Sequence, residues 1–114
     1  MNWELRISSE AKACLKEQIQ WYKSEEKHGG SELASRWLAM IEVGMTELCK
    51  GPKKHGFAPE NGRWNQDLNI RQMHFKPWKT KSDWRVLYVL DETSGVITIL
   101  QVQHERRKLL FEKQ

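Results

Sequence analysis

From Trp3 to Ile7 apolar and charged residues alternate, with Trp3, Leu5 and Ile7 on one side and Glu4 and Arg6 on the other. That period of two is the pattern of a half-buried strand. Ser8 follows as a helix N-cap. Ala11, Leu15, Ile19 and Tyr22 then recur at helical spacing, which predicts a first helix over about 9–27, ended by His28-Gly29-Gly30. Ser31 caps a second helix with the apolar stripe Leu33, Trp37, Met40, Ile41, Met45 and Leu48, and Gly51-Pro52 stops it. An irregular segment rich in Gly, Pro, Lys and Asn, about 50–66, leads to three strands expected over about 68–75, 84–90 and 96–103. Residues 91–95 join the last two as a hairpin connection, and a short tail helix is expected from Arg106.

This order predicts an α+β fold, a helical hairpin packed on one face of a small, mainly antiparallel four-stranded sheet in the order β-α-α-β-β-β. At 114 residues the chain has room for a single domain, 1–114. Its 39% apolar and 30% charged residues suit a folded protein rather than a disordered one. No secretory apolar core opens the sequence and no run approaches the roughly 20 residues that span a bilayer, so a cytoplasmic protein without a membrane partner is expected. Cys14 and Cys49 then read as small apolar groups rather than a disulfide.

The net charge of +4 is unevenly spread: residues 1–57 carry nine Lys/Arg against eight Asp/Glu, and residues 58–114 carry ten against seven. Arg71, Lys76, Lys79, Lys81 and Arg85 meet only Asp83 between positions 71 and 85, and Arg106-Arg107-Lys108 follows. Such clustering favours an anionic partner, a nucleic acid or an acidic protein.

Alternation sorts the strands into faces. Trp84, Val86, Tyr88 and Leu90 form the more apolar set of their strand, leaving Arg85, Leu87 and Val89 opposite. On the preceding strand Leu68 and Ile70 oppose Asn69, Arg71 and Met73. With helices over the apolar sets, Arg71 and Arg85 are expected together on the open face as a phosphate clamp. Met73, Leu87, Val89, Ile97 and Ile99 would share that face as a partner-binding patch, unless the segment around Pro59 or the tail folds over it. His104, beside Arg106 and Arg107, is a candidate acid or base, since an imidazole among guanidiniums can move a proton while they hold a phosphate. Trp64 and Trp78 are candidates to stack on bases, and Trp3, Trp21, Trp37 and Trp84 are expected to pack. The carboxylates Glu60, Asp67, Asp83, Asp91 and Glu92 are scattered, and no metal set, cofactor motif or glycine-rich phosphate loop stands out.

Three stretches resemble the RelE/ParE superfamily of toxins from type II toxin–antitoxin systems, the plasmid-stabilisation type. They are Leu5-Arg6-Ile7-Ser8-Ser9-Glu10-Ala11, Ala58-Pro59-Glu60 with Ile70-Arg71-Gln72, and Trp84-Arg85-Val86-Leu87-Tyr88 with Val102-Gln103-His104-Glu105-Arg106. Trp84 stands where the family typically has a tyrosine, keeping the ring and losing the hydroxyl. The resemblance implies a growth-arresting toxin, most directly a metal-independent, ribosome-dependent mRNA endonuclease without a cofactor. ParE-like inhibition of DNA gyrase, or a toxin fold kept as a non-toxic binding protein, are the alternatives. It implies Arg71, Arg85, His104 and Arg106 as the catalytic set. The basic clustering, and not the family pattern, puts Lys76, Lys79, Lys81 and Arg107 on nucleic acid, since the segment from Met73 to Asp83 is longer than the family's usual hairpin connection. Met73, Leu87 and Val89 would meet the cognate antitoxin, a small acidic protein encoded nearby.

Overall fold

A computed structural model describes residues 3–24, 30–59, 61, 69–76 and 84–104. Strand β1 (Glu4–Ile7) leads into helices α1 (Ser9–Ser24) and α2 (Gly30–Lys50), and a 3-10 turn at Pro52–Lys54 follows. Strands β2 (Arg71–Phe75), β3 (Trp84–Asp91) and β4 (Val96–His104) complete the fold. The sheet order is β1-β4-β3-β2, with β1 parallel to β4 and the other pairs antiparallel. The α+β arrangement is thus the one the periodicities predict, and β1 finds its neighbour in the last strand.

One hydroxyl joins the helical arm to the sheet. Ser8 Oγ accepts the Ala11 amide at 3.1 Å, capping α1, and donates to the Leu100 carbonyl at 3.0 Å. Leu100 is the extra residue of a β-bulge: Leu87 lies opposite Gln101 while Tyr88 lies opposite Ile99. A bulged residue loses its place in the ladder, and here the serine takes up its carbonyl. The β3–β4 turn closes on Gly95, whose φ of 70° suits a residue without a Cβ. The Asp91 carboxylate accepts the Thr93 and Ser94 amides at 3.1 and 3.2 Å; the bonds from Ser94 chiefly hold its carboxyl below the usual range.

The main core lies between the helices and one sheet face. Trp37 is fully buried at its centre, 5.2 Å edge-to-face from Trp84 and 6.2 Å from Tyr22. Ile41, Met45 and Leu48 continue the α2 stripe, while Met40 turns outward, 40% exposed. Trp21 is also 51% exposed, touching Tyr22 edge-on, so packing describes only one side of its ring. Met73, Val86, Tyr88, Ile97, Ile99 and Val102 form the sheet's contribution. Cys14 and Cys49 are half-buried free thiols, and burial pushes the Cys49 thiol up. No described helix is long and apolar enough to cross a membrane.

Tyr88 fastens the segment after α2 to this core, its buried hydroxyl donating to the Pro52 carbonyl at 2.6 Å. Burial pushes its pKa up to about 12, against the opposing pull of Arg71.

Truncating Trp37 to alanine empties the centre of the aromatic cluster and should cost about 3–5 kcal/mol in urea unfolding. Tyr88→Phe strands a buried carbonyl and should cost about 1–3 kcal/mol at neutral pH. A phenol with its folded pKa above the unfolded value of about 10 stabilises fully below that pH and loses the contribution as pH rises toward 12. The stability gap between the parent and Tyr88→Phe should therefore hold to about pH 10 and narrow above it; a gap that stays constant to pH 12 would rule out this role for the hydroxyl.

Candidate functional site

The sheet face away from the helices has two halves. In the first, Ala58 and Ile70 pack over Leu87, with Val89 and Leu100 at the margin. The chain before β2 is stitched along that strand by the Ala58 amide to the Ile70 carbonyl at 2.8 Å, the Gln72 amide to the Gly56 carbonyl at 3.1 Å, and the Ile70 amide to Asn61 Oδ1 at 2.9 Å. This is the covering that the segment around Pro59 offered, and it leaves Leu87 with no exposed surface. Leu87 is therefore not a ready partner contact, and Val89 is half-buried beside it.

The second half is polar. Arg85, 6% exposed, donates to Gln72 Oε1 at 3.1 Å and to Gln103 Oε1 at 2.7 Å, and the Gln103 amide donates in turn to Gln101 Oε1. His74 lies directly opposite Arg85 in the β2–β3 register, so the two share this face, and the histidine is exposed. Amide oxygens aimed at a guanidinium offset the cost of burying its charge. The arrangement is a fixed cation beside an accessible imidazole, able to hold a phosphate and exchange a proton next to it.

The expected pairing of Arg71 with Arg85 is overturned. Arg71 lies opposite Tyr88, on the helix side of the sheet at its β2 edge. Its guanidinium donates to the His55 carbonyl at 2.7 Å and sits 4.4 Å from the Phe57 ring centre. Burial chiefly, with Lys54 adding, holds the His55 imidazole below its usual pKa. His104 also faces the helix side, opposite Trp84 with ring centres 5.2 Å apart. Met73, 4% exposed, and the fully buried Ile97 and Ile99 belong to the main core, not to an open patch. The reason is register: Met73 aligns with Val86 and so carries Arg71 to the helix side, while the bulge at Leu100 sends Ile99 one way and Gln101 the other.

Lys76 is exposed just past the end of β2. Lys79, Lys81, Arg106, Arg107, Trp64, Trp78 and the expected tail helix lie outside the described residues. No three His, Cys, Asp or Glu side chains among the described residues group as metal ligands. The sequence reading missed His74 and the glutamines; the alternation Gln72-Met73-His74 would have found them once Met73 was assigned to the core.

No curated protein sequence matches this chain. Among solved structures, a mutant of the E. coli toxin RelE in the free state superposes with a TM-score of 0.51 over 90% of this chain and 83% of that one, at 13% identity. The toxin–antitoxin complex RelBE2 from Mycobacterium tuberculosis gives 0.48 over 92% and 100%, at 14% identity. The likeness to RelE is one of fold. Residues 5–109 match the family model of the ParE toxin of type II toxin–antitoxin systems, parDE. That match runs from β1 past the end of β4, and the chain belongs to this family of RelE/ParE-superfamily toxins.

Proposed function

We propose that this toxin is a metal-independent mRNA endonuclease that acts on the ribosome and arrests growth by blocking translation in the cytoplasm. The observation that carries the reading is the placement of His74 opposite Arg85 on the face the helices leave open. Cleavage of RNA at a 2′-hydroxyl needs a base for that proton, a cation for the charge gathering on the phosphate, and an acid for the departing 5′-oxygen. The His74 imidazole takes the 2′-hydroxyl proton as the 2′-oxygen bonds to phosphorus and the bond to the 5′-oxygen breaks, leaving a 2′,3′-cyclic phosphate, and water protonates the departing 5′-oxygen. Arg85 supplies a cation already fixed by Gln72 and Gln103, so little reorganisation is required when charge develops.

Lys76, Lys79, Lys81 and Arg107 hold the nucleic acid, and Arg106 adds positive charge at the scissile group. The cognate antitoxin is a small acidic protein that neutralises the toxin by laying carboxylates against the same polar half-face.

Induced expression without the antitoxin should stop growth and leave mRNA 5′ ends in phase with codons. His74→Ala should lower cleavage about 10²–10⁴-fold, the usual share of a general acid or base. Arg85→Gln should lower it about 10²–10³-fold, the scale of losing one preorganised charge-stabilising donor. Circular dichroism would verify that both variants fold. Intact transcripts during growth arrest, together with inhibited DNA supercoiling, would replace this reading with gyrase poisoning; continued growth would mark a non-toxic binding protein.

A further inference from the structure

Around the segment after α2, cations gather beside aromatic rings at the β3–β4 turn end of the sheet, away from the His74–Arg85 face. Trp3, Lys50, Lys53 and Lys54 line a concavity of about 510 Å³, within the roughly 300–1,000 Å³ typical of sites that hold one small ligand. Lys50 pairs with Glu47 at 3.3 Å, and Lys53 pairs with Glu92 across to the β3–β4 turn. Glu92 also lines a second hollow of about 130 Å³ with Phe57 and Arg71, so this ion pair joins the two hollows. The Phe57 ring is 52% exposed although the Arg71 guanidinium lies against it.

From this juxtaposition we infer that this end of the sheet is a binding track for single-stranded RNA. One nucleotide enters the larger hollow with its base beside Trp3 and its phosphate among the three lysines, and a neighbouring base stacks at Phe57 and Arg71. Lysines grip phosphates whatever the sequence, and aromatic rings receive only bases whose faces are free, so the pattern selects an unpaired strand. The choice of RNA over DNA rests on the endonuclease reading; the binding itself does not depend on cleavage.

Fluorescence anisotropy of the full-length toxin with a labelled ten-nucleotide oligouridylate tests the track. Replacing Lys50, Lys53 and Lys54 together by glutamine should weaken binding at least about tenfold and flatten the salt dependence of log K by about 0.7, the share of the one phosphate they hold. Phe57→Ala should weaken binding about tenfold with the salt slope unchanged, the size of one lost stack. All four side chains are solvent-exposed, so the variants should fold, with unfolding midpoints as the control. Absence of binding by the parent toxin at about 100 μM in low salt, or a triple variant within twofold of it, overturns the inference. A lysine effect without any Phe57 effect marks a plain charge contact such as an acidic peptide makes, and overturns it too. Cleaved mRNA with no track binding removes this inference alone, whereas track binding with intact mRNA removes the endonuclease reading alone.

Discussion

The bulge at Leu100 sets which residues of β4 face the helices and which face away. Strict alternation along an interior strand would place Ile97, Ile99, Gln101 and Gln103 on one side, forcing either amides into the core or isoleucines into water. The extra residue resolves this: Ile97, Ile99 and Val102 go under the helices, while Gln101 and Gln103 meet Arg85. A bulge leaves a backbone group to be satisfied, and Ser8 meets that need with the same oxygen that caps α1. Helix start, sheet twist point and polar face are therefore coupled through one side chain.

Arg85 shows what the bulge makes available. A guanidinium so little exposed needs acceptors, and two glutamine carbonyls supply them from the neighbouring strands. The two amide oxygens orient it in its buried place. The adjoining half of the same face is apolar and already roofed by Ala58 and Ile70. Among the described residues, the amide-lined half is the part of this face left for an anionic visitor.

The element order and both helical stripes were legible in the sequence because periods of two and 3.6 are local properties. The faces were legible only in part. Arg85 was assigned to the open side correctly, since Trp84, Val86 and Tyr88 outweigh their neighbours in apolar character. Arg71 was not, because alternation within β2 fixes its partners relative to Met73 but cannot say which side of β3 they join. Ile70, just before β2, added to the error: it is fully buried, yet in the second small core rather than beneath the helices. Ile97 and Ile99 were assigned to the open face but lie beneath the helices: the bulge at Leu100 breaks their alternation with Gln101 and Gln103, one residue of misregister that no periodic pattern announces.

The long Gly- and Pro-containing stretch after α2 reads as a loop, but its first half is held like an element of the fold. Tyr88 holds Pro52, Arg71 holds the backbone at His55, and Gly56 and Ala58 share hydrogen bonds with the β2 region. These ties come from both the core and the sheet edge, so the backbone carrying Lys53, Lys54 and Phe57 is placed before any ligand arrives. Binding a strand there would order a few side chains and not a whole loop, which removes much of the entropy cost that usually weakens loop-borne sites. Because Arg71 and Gln72 are consecutive on β2 and face opposite ways, that strand is the shared wall between the smaller hollow and the Arg85 face. A single chain crossing β2 would touch both.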